Sequence, residues 1–196
     1  MANILLELIK HPFQTSIIVP ESKALTRTIV QMADLSRAKA AVELGPGCGG
    51  FTEQILRGLP QGAKFFALDI NSLFVAHTQK RCPGATVLHG NALDLGDHLK
   101  EQGLESCDAI ISGLPFSIFT EELREQILKV VETALSPGGR FVTYTYAHRV
   151  KSLGHFKSKQ IISAVFDKLD RSPLVWKNVP PAYVYCATKK GAPRPL

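Results

Sequence analysis

Apolar and polar residues follow each other along the chain in two periods, one typical of strands and one typical of helices. Short runs rich in β-branched and aromatic residues predict five buried strands: Ala40–Leu44, Lys64–Ile70, Ala85–His89, Cys107–Ser112 and Arg140–Tyr146. Segments with a helical period separate them: one beginning near Phe51, then about Ser72–Arg81, Leu95–Gln102 and Glu121–Leu135. Because strands and helices alternate, the sheet is predicted to be largely parallel.

The last third of the chain is predicted to leave this pattern. A helix at about Lys159–Lys168 is followed by two apolar runs, Leu174–Val179 and Ala182–Thr188, which only Pro180 and Pro181 separate. A connection of two residues is too short for a parallel crossover, so the runs are predicted to form an antiparallel hairpin at the sheet edge. The whole pattern predicts an α/β protein with a Rossmann-like, seven-stranded and mostly parallel sheet.

Residues 1–37 are predicted to form a helical extension ahead of this domain. Four apolar residues within Ile4–Ile9 share one face of a helix that Pro12 ends, and a second amphipathic helix is predicted at about Lys23–Leu35. The first helix fits two interpretations, packing on the core and lying on a membrane surface. Residues 38–190 are predicted to form one domain, and residues 191–196 a flexible tail.

Composition favours a single soluble domain without metal. The chain has 196 residues, of which 45% are hydrophobic. Its four cysteines show no paired spacing and its six histidines are scattered, which predicts reduced thiols and no metal site. No apolar run reaches the roughly 18 residues of a membrane span, and no cationic segment resembles a secretory signal. A cytoplasmic protein, without an obligate protein partner, is expected.

The formal charge of +6 is distributed unevenly. Residues 1–40 carry five basic and three acidic residues, residues 41–139 carry seven and twelve, and residues 140–196 carry eleven and two. The three segments therefore contribute +2, −5 and +9. A basic C-terminal third of this size favours a polyanionic partner, either nucleic acid or an anionic membrane surface.

A glycine-rich segment follows the first predicted strand. Gly45, Gly47 and Gly50 fit the dinucleotide pattern G-x-G-x-x-G, whereas Gly45, Gly47 and Gly49 fit the E-x-G-x-G-x-G pattern of S-adenosylmethionine (SAM) enzymes. Glycines allow positive φ and a close approach of a ligand to backbone amides. Glu43 favours SAM, because a carboxylate here can bond the cationic amino-acid end of that cofactor directly or through water.

Further cofactor contacts are predicted where the next strands end, since ligands of open α/β sheets bind there. Asp69, followed by Ile70, ends the second strand and is placed to accept both ribose hydroxyls. Asn91 and Ala92 follow the third strand, where an amide can hold the adenine ring. The fourth strand ends in Ser112-Gly113-Leu114, beside the expected methyl group.

Taken together, these motifs resemble class I SAM-dependent methyltransferases. The resemblance is closer to the bacterial, rhizobial-type phospholipid N-methyltransferases, through Pro20-Glu21-Ser22, the Ser-Gly-Leu-Pro step, and Trp176 with Pro180–Tyr185. The cofactor half is also similar to the ribosomal RNA adenine dimethylases. The resemblance implies SAM as cofactor, stepwise methylation of phosphatidylethanolamine to phosphatidylcholine, and an N-terminal helix on the inner membrane surface.

Two other functions remain open at this point. One is an adenine N6-methyltransferase of ribosomal RNA, and the other is a non-catalytic or NAD-binding α/β protein. Gly113 disfavours adenine methylation, because the dimethylases have an asparagine here that grips the base amine. The chain also shows neither their additional helical domain nor the second nucleotide half that a dehydrogenase needs.

Aromatic and basic residues are the candidates for holding the substrate. Phe116, Phe119, Tyr146 and Tyr183 are predicted to surround the amine, and Tyr146 and Phe116 to position it for reaction. A tyrosine ring can hold a methylated ammonium by cation–π attraction. His148 and Arg149 follow Tyr146 and can pair with a lipid phosphate. No residue stands out as a general base. For Tyr144 and Tyr185 the sequence supports a place in the site and a place in the core equally.

Overall fold

A seven-stranded sheet forms the centre of the molecule in the computed structural model, which describes residues 22–150 and 160–191. The strands are β1 (Ala40–Leu44), β2 (Lys64–Asp69), β3 (Thr86–His89), β4 (Cys107–Ser112), β5 (Leu135–Tyr146), β6 (Lys168–Arg171) and β7 (Ala182–Thr188). Their order is β3-β2-β1-β4-β5-β7-β6. The first five pair in parallel, and β7 runs antiparallel to both β5 and β6. The predicted fold class is confirmed.

Six helices cover the two faces of this sheet within the described residues. They are α1 (Lys23–Ala33), α2 (Gly50–Gly58), α3 (Ser72–Arg81), α4 (Leu95–Glu101), α5 (Glu121–Ala134) and α6 (residues 160–165). Helix α1 packs on β4, β5, β7 and α2, and α3 packs on β2 and β3. Helices α4 and α5 pack together, and residues of α5 and of the chain from Ile162 to Phe166 join the core on the opposite face. The molecule is therefore a three-layer α/β/α sandwich.

The central parallel strands are covered by helices on both faces of the sheet. All five residues of β1 are buried, as are the last four of β2 and five of the six in β4. Such continuous burial is typical of parallel strands between two helical layers, and it explains why these segments are apolar runs and not alternating ones. The order reverses between β1 and β4, so their carboxyl ends open a crevice there. We call the edge formed by the carboxyl ends of β1, β2, β4 and β5 the carboxyl edge.

The predicted C-terminal hairpin is correct in its direction but wrong in its first strand. The strand that pairs with β7 is Lys168–Arg171, and Leu174–Val179 forms a loop with a single bridge, Val175 to Ala182. Strand β6 lies at the sheet edge with both of its end residues exposed, so backbone pairing forms it without an apolar pattern. Sequence periodicity cannot detect such a strand.

The remaining differences concern the ends of elements. Strand β5 begins at Leu135, whereas the sequence predicts its start at Arg140. Helix α1 ends at Ala33, since Asp34 adopts a left-handed conformation. The predicted membrane-surface helix within Ile4–Ile9 lies outside the described residues. In the portion of the chain that the structure describes, no helix is long and apolar enough to cross a membrane.

Candidate functional site

The glycine turn after β1 is fixed by one backbone hydrogen bond to β2 and one within the turn. Gly45 N donates to Leu68 O of β2 at 2.8 Å, and Gly49 N donates to Pro46 O at 2.9 Å. Gly45, Gly47 and Gly49 all have positive φ, at 72°, 54° and 76°. Three left-handed residues within five positions require glycine, because side chains there are strained. The turn is therefore specified by its sequence.

Open space lies beside Gly47. A Cβ atom added at Gly47 would meet no atom within 4 Å, whereas one at Gly45 would approach Leu114 Cδ2 to 3.0 Å. The turn therefore presents a bare stretch of backbone to open space at the carboxyl edge. Helix α2 begins directly after the turn, so its first amide groups favour an anionic or polar ligand at this place.

Asp69 lies beside this space at the end of β2. Its side chain is 8% exposed; Oδ2 accepts a hydrogen bond from Gly47 N at 3.2 Å and Oδ1 accepts one from Asn71 N at 2.9 Å. A carboxylate has about four acceptor positions, so both oxygens keep capacity for further donors. Burial raises the pKa of Asp69, and the amides of Asn71 and Gly47 act in the opposite direction. The site is thus prepared for a ligand with two hydroxyl groups.

Glu43 takes a place below the turn. Its side chain is fully buried, and its Oε2 accepts a hydrogen bond from Thr52 Oγ1 at 2.6 Å. This bond joins the end of β1 to the first turn of α2. The described structure therefore gives Glu43 a role in holding the turn, and its contact with the amino-acid end of a cofactor stays a prediction.

The end of β4 contacts the glycine turn through Gly113. Gly113 N donates to Leu44 O at 2.9 Å, and a Cβ atom on Gly113 would lie 2.6 Å from Gly45 O. Because that oxygen belongs to the backbone, no larger residue fits here without moving the turn. Ser112 is buried, and its Oγ accepts a hydrogen bond from Leu114 N at 3.2 Å. The predicted Ser112-Gly113-Leu114 step is therefore part of the same wall.

The residues predicted to hold the adenine ring lie at the same edge. Asn91 caps the short 3₁₀ turn Ala92–Asp94 and its Oδ1 accepts a hydrogen bond from Leu93 N at 3.0 Å. Asn91 and Ala92 are half-buried. Ile70 is also half-buried, and its carbonyl oxygen lies 2.9 Å from His89 Nε2. These residues extend the wall of the site from Asp69 towards β3.

Phe116 and Phe119 lie in the core. Each side chain is 7% exposed, their ring centroids are 5.8 Å apart, and Phe116 also contacts Phe141 edge-on at 5.9 Å. Arg124 of α5 is buried below them and its Nη1 donates to Phe116 O at 3.4 Å. The rings support the segment after β4, and the described geometry leaves little of either ring for a substrate.

The two tyrosine pairs lie on opposite faces of the sheet. Tyr144 and Tyr146 pair with Val184 and Ala182, whose side chains join the core under α1. Tyr183 and Tyr185 pair with Thr145 and Thr143 and point to the other face. The sequence predicts Tyr146 and Tyr183 around one amine. The register of β5 and β7 shows that they reach the carboxyl edge from different sides.

Arg171 covers one of these tyrosines. Its guanidinium carbon lies 4.7 Å from the ring centroid of Tyr183, in a cation–π contact. The predicted place for a methylated ammonium on that ring is therefore shared with an arginine of β6. Tyr185 is 5% exposed and burial raises the pKa of Tyr185, which places it in the core.

Tyr146 keeps its predicted position at the end of β5. It contacts Tyr144 edge-on at 5.6 Å and stacks on the exposed His148 at 5.8 Å with an interplanar angle of 10°. His148 and Arg149 lie in the short 3₁₀ turn that follows β5, and both are exposed. This group is available to a ligand that approaches from solvent.

Sequence reasoning misses several residues that hold the site. Thr78 of α3 donates from Oγ1 to Gly47 O at 2.7 Å, and Arg81 donates from Nη1 to Cys48 O at 3.0 Å. The sequence also does not indicate the contacts of Thr52 with Glu43 and of Arg171 with Tyr183. No sequence pattern marks these residues, because each reaches its partner across a tertiary contact. In the described residues no group of histidine, cysteine and acidic side chains is arranged to bind a metal.

Comparison with known proteins identifies the family to which this chain belongs. Residues 41–139 match the family described as "Methyltransferase domain". Ornithine lipid N-methyltransferase of Singulisphaera acidiphila is 28% identical over 179 residues, which cover 90% of this chain and 89% of that protein. Dimethyladenosine transferase of Chaetomium thermophilum is 31% identical over 98 residues, 50% of this chain and 25% of that protein.

The fold has many solved counterparts. The structure of an O-methyltransferase from Bacillus cereus in complex with SAH matches with a TM-score of 0.67 at 13% identity. The match covers 95% of this chain and 90% of that one. At this level of identity the likeness concerns the arrangement of the chain alone.

Proposed function

The chain belongs to the class I SAM-dependent methyltransferases, and from this premise we propose that it methylates the amine headgroup of a membrane lipid. The observation that carries the proposal is the extent of two similarities. The similarity to a lipid N-methyltransferase extends over 90% of this chain, whereas the similarity to an adenine dimethylase extends over 50%. A substrate class is encoded in the parts outside the cofactor site, so the longer match is the more informative one.

SAM is the cofactor, and when bound it supplies an electrophilic methyl group. The residues present fit it. The bare backbone at Gly47 leaves space for a ligand, and Asp69 offers two oxygens to a pair of ribose hydroxyls. In this proposal Asn91 and Ala92 hold the adenine ring, and Gly113 and Leu114 form the wall towards the substrate. The half-buried position of Asn91 and Ala92 after β3 and the contact of Gly113 with the glycine turn support it.

The remaining task of the chain is to hold a neutral amine and to exclude water. Proximity and orientation supply most of the catalysis in a transfer of this kind. Tyr146 offers a ring face for an ammonium that carries methyl groups, and the exposed His148 and Arg149 are placed to pair with a headgroup phosphate. No side chain is assigned as a general base, and the neutral amine is supplied by desolvation or by its equilibrium with water.

Phosphatidylethanolamine and its mono- and dimethylated forms are the substrates we propose, leading to phosphatidylcholine. Ornithine lipid presents the same primary amine without a phosphate and is the second candidate, favoured by the named relative. Arg149 and His148, both exposed after β5, can donate hydrogen bonds to the phosphate of the first candidate. We further propose that the protein is cytoplasmic and works as a peripheral protein on the inner face of the membrane.

Adenine methylation of ribosomal RNA is disfavoured by the geometry at Gly113. An asparagine at this position would place its Cβ 2.6 Å from Gly45 O, and thus would displace the glycine turn. The residue with which the similar adenine dimethylases hold the base amine therefore has no room in this arrangement. A basic surface alone does not distinguish RNA from an anionic membrane.

The experiment that tests the proposal supplies labelled SAM with phosphatidylethanolamine, with ornithine lipid, and with ribosomal RNA, each lipid dispersed in detergent micelles. We expect label in phosphatidylethanolamine and its methylated products. Label in ornithine lipid alone would keep the reaction class and change the substrate. Label in RNA alone would overturn the lipid proposal.

A further inference from the structure

In the loop between β6 and β7, residues 172–181, two apolar side chains are exposed and a polar one between them is buried. Trp176 is 74% exposed and Val179 is 75% exposed, whereas Asn178 between them is 3% exposed. In a soluble protein the opposite arrangement is normal, because exposed apolar area costs free energy. An inverted pattern over four residues indicates a surface that is covered in the working protein.

The inversion is built into the fold. Asn178 Oδ1 accepts a hydrogen bond from Ser22 N at 2.9 Å, and Asn178 Nδ2 donates to Pro180 O at 2.7 Å. At the base of the loop, Ser172 Oγ accepts a hydrogen bond from Val184 N at 3.0 Å, and Val175 N donates to Ala182 O at 2.9 Å. These bonds fix the loop on β7 and on the start of α1. Trp176 and Val179 are therefore presented outwards by a held backbone.

The exposed apolar side chains share one side of the molecule. Among the described residues the large ones are Leu73, Ile118, Trp176 and Val179. Leu73 lies at the start of α3 after β2, and Ile118 lies in the turn after β4. The loop precedes Ala182, which pairs with Tyr146, the last residue of β5. All four therefore lie at the carboxyl edge, where the cofactor site also opens.

Charge near the loop has one sign. The described stretches that lie at this end of β5, β6 and β7 are residues 147–150 and 171–181, and they contain Arg149, Arg171 and Lys177 but no acidic residue. Tryptophan and lysine together are favoured at the boundary between lipid headgroups and acyl chains, where the ring enters and the ammonium stays with phosphate. Apolar tips surrounded by cations are complementary to an anionic bilayer.

We propose that the β6–β7 loop is an interfacial membrane anchor, in which Trp176 and Val179 enter an anionic lipid bilayer and Lys177 contacts its headgroups. This proposal rests on the proposed lipid substrate. The anchor holds the carboxyl edge against the membrane, so that a lipid headgroup reaches the site without leaving the bilayer. The segment in which the sequence predicts a membrane-surface helix joins the described fold at Ser22, which is bonded to this same loop.

Trp176 is the only tryptophan of the chain, so its fluorescence reports on this loop alone. The full-length protein is titrated with vesicles of equal parts phosphatidylglycerol and phosphatidylcholine, and separately with pure phosphatidylcholine vesicles. We expect a blue shift and a gain in intensity with the anionic vesicles, quenching by lipids brominated on their acyl chains, and loss of the effect at high salt. An unshifted spectrum with vesicles that sediment the protein would overturn the anchor.

Variants separate the anchor from the general charge of the protein. Lys177→Glu should weaken vesicle binding about fivefold or more, and Val179→Ser and Trp176→Ala should each weaken sedimentation with vesicles by about tenfold. The matched control is Lys39→Glu, which makes the same charge change at an exposed residue before β1, at the opposite edge of the sheet. Equal losses in Lys177→Glu and Lys39→Glu would contradict the proposal. Thermal melting of each variant checks that the fold is kept.

Other outcomes are also decisive. A spectrum that is already blue-shifted without lipid and that changes on dilution would assign the loop to a protein interface and overturn the membrane anchor. Methylation in detergent micelles is measured on the same variants and should be unchanged, because micelles bring the lipid to the site. Insertion of Trp176 without methylation of any lipid amine would keep the anchor and refute the proposed function. Methylation of a lipid amine without insertion of Trp176 would keep the proposed function and refute the anchor.

Discussion

The carboxyl edge of the sheet has two halves that are built differently. At the ends of β1, β2 and β4 the backbone is tightly bonded, buried and rich in glycine, and the side chains of Glu43, Asp69 and Thr78 bond partners across tertiary contacts. At the ends of β5, β6 and β7 the side chains are aromatic and basic, and several are exposed. The difference indicates a rigid half that binds a small, constant ligand and an adaptable half that meets a larger one.

The largest expected effect of a single change falls on the rigid half. Asp69→Ala removes both carboxylate oxygens from the ribose position, and the loss of two charge-assisted hydrogen bonds costs about 2–4 kcal/mol of cofactor binding. Titration calorimetry with SAM and with its demethylated product should show this loss for both. Unchanged affinity in the variant would remove Asp69 from the site.

A change of one methyl group tests the close contact between β4 and the glycine turn. Gly113→Ala places a Cβ 2.6 Å from Gly45 O, and the forced shift should lower the free energy of unfolding by about 1–3 kcal/mol. Cofactor affinity should fall with it, since the turn moves. Gly84→Ala is the control, because a Cβ on Gly84 meets no atom within 4 Å. Chemical denaturation that gives equal stability for both variants would contradict this account.

Two glycines with positive φ separate strain from ligand contact. Gly47 and Gly62 have φ of 54° and 83°, and a Cβ on either meets no atom within 4 Å. Alanine at each should cost about 1 kcal/mol of stability through backbone strain. Only Gly47→Ala should also weaken SAM binding, because only Gly47 borders the cofactor space. If both variants bind SAM like the original protein, the open space beside Gly47 is not the cofactor site.

Smaller effects are expected in the adaptable half. Tyr146→Ala and Arg149→Ala should lower turnover on phosphatidylethanolamine several-fold, on the scale of a cation–π contact of about 0.5–2 kcal/mol, and leave SAM affinity unchanged. Tyr146→Phe keeps the ring and should keep most of the activity. Lys39→Ala, an exposed cation at the other edge, serves as control. Undiminished turnover in both alanine variants would mean that the headgroup is held elsewhere.

The pH dependence should also divide between the halves. Burial raises the pKa of Asp69, so ionisation of this carboxyl opposes folding, and the cofactor-free protein loses stability as pH rises through the interval between the ordinary and the raised value. Ribose hydroxyls bond the carboxylate, so SAM affinity should fall as pH falls through the raised pKa. Titration calorimetry with SAM over an acidic pH series tests the fall in affinity. The variant Asp69→Asn should remove the dependence of SAM affinity on pH.

Turnover on lipid should respond to pH in the opposite range. An ethanolamine ammonium is mostly protonated near neutrality, so the rate should climb from about pH 7 to about pH 9 as the neutral amine accumulates. Saturating SAM keeps the contribution of Asp69 out of the measurement. A flat profile would speak against a lipid amine as the substrate.

Local sequence patterns predicted most of the fold and several residues of the rigid half of the carboxyl edge. Continuous apolar runs marked the strands because both faces of a parallel sheet are covered, and β4 was predicted with its observed ends. The glycines were identifiable because positive φ restricts the residue types that fit, and Asp69 because it ends β2 beside them. Strand β6 escaped detection, since an exposed edge strand formed by backbone pairing needs no apolar pattern.

The sequence by itself determined that this chain forms a mostly parallel α/β sheet with a glycine turn and a carboxylate at its carboxyl edge, because these features depend on residues close together in the chain. The tertiary structure alone decided what depends on register and on distant contacts. Pairing of β5 with β7 placed Tyr146 and Tyr183 on opposite faces, since a strand alternates its side chains and only the register says which of them face together. Arg171 reached Tyr183, and Asn178 reached Ser22 to turn Trp176 outwards, through contacts between residues that no local pattern connects.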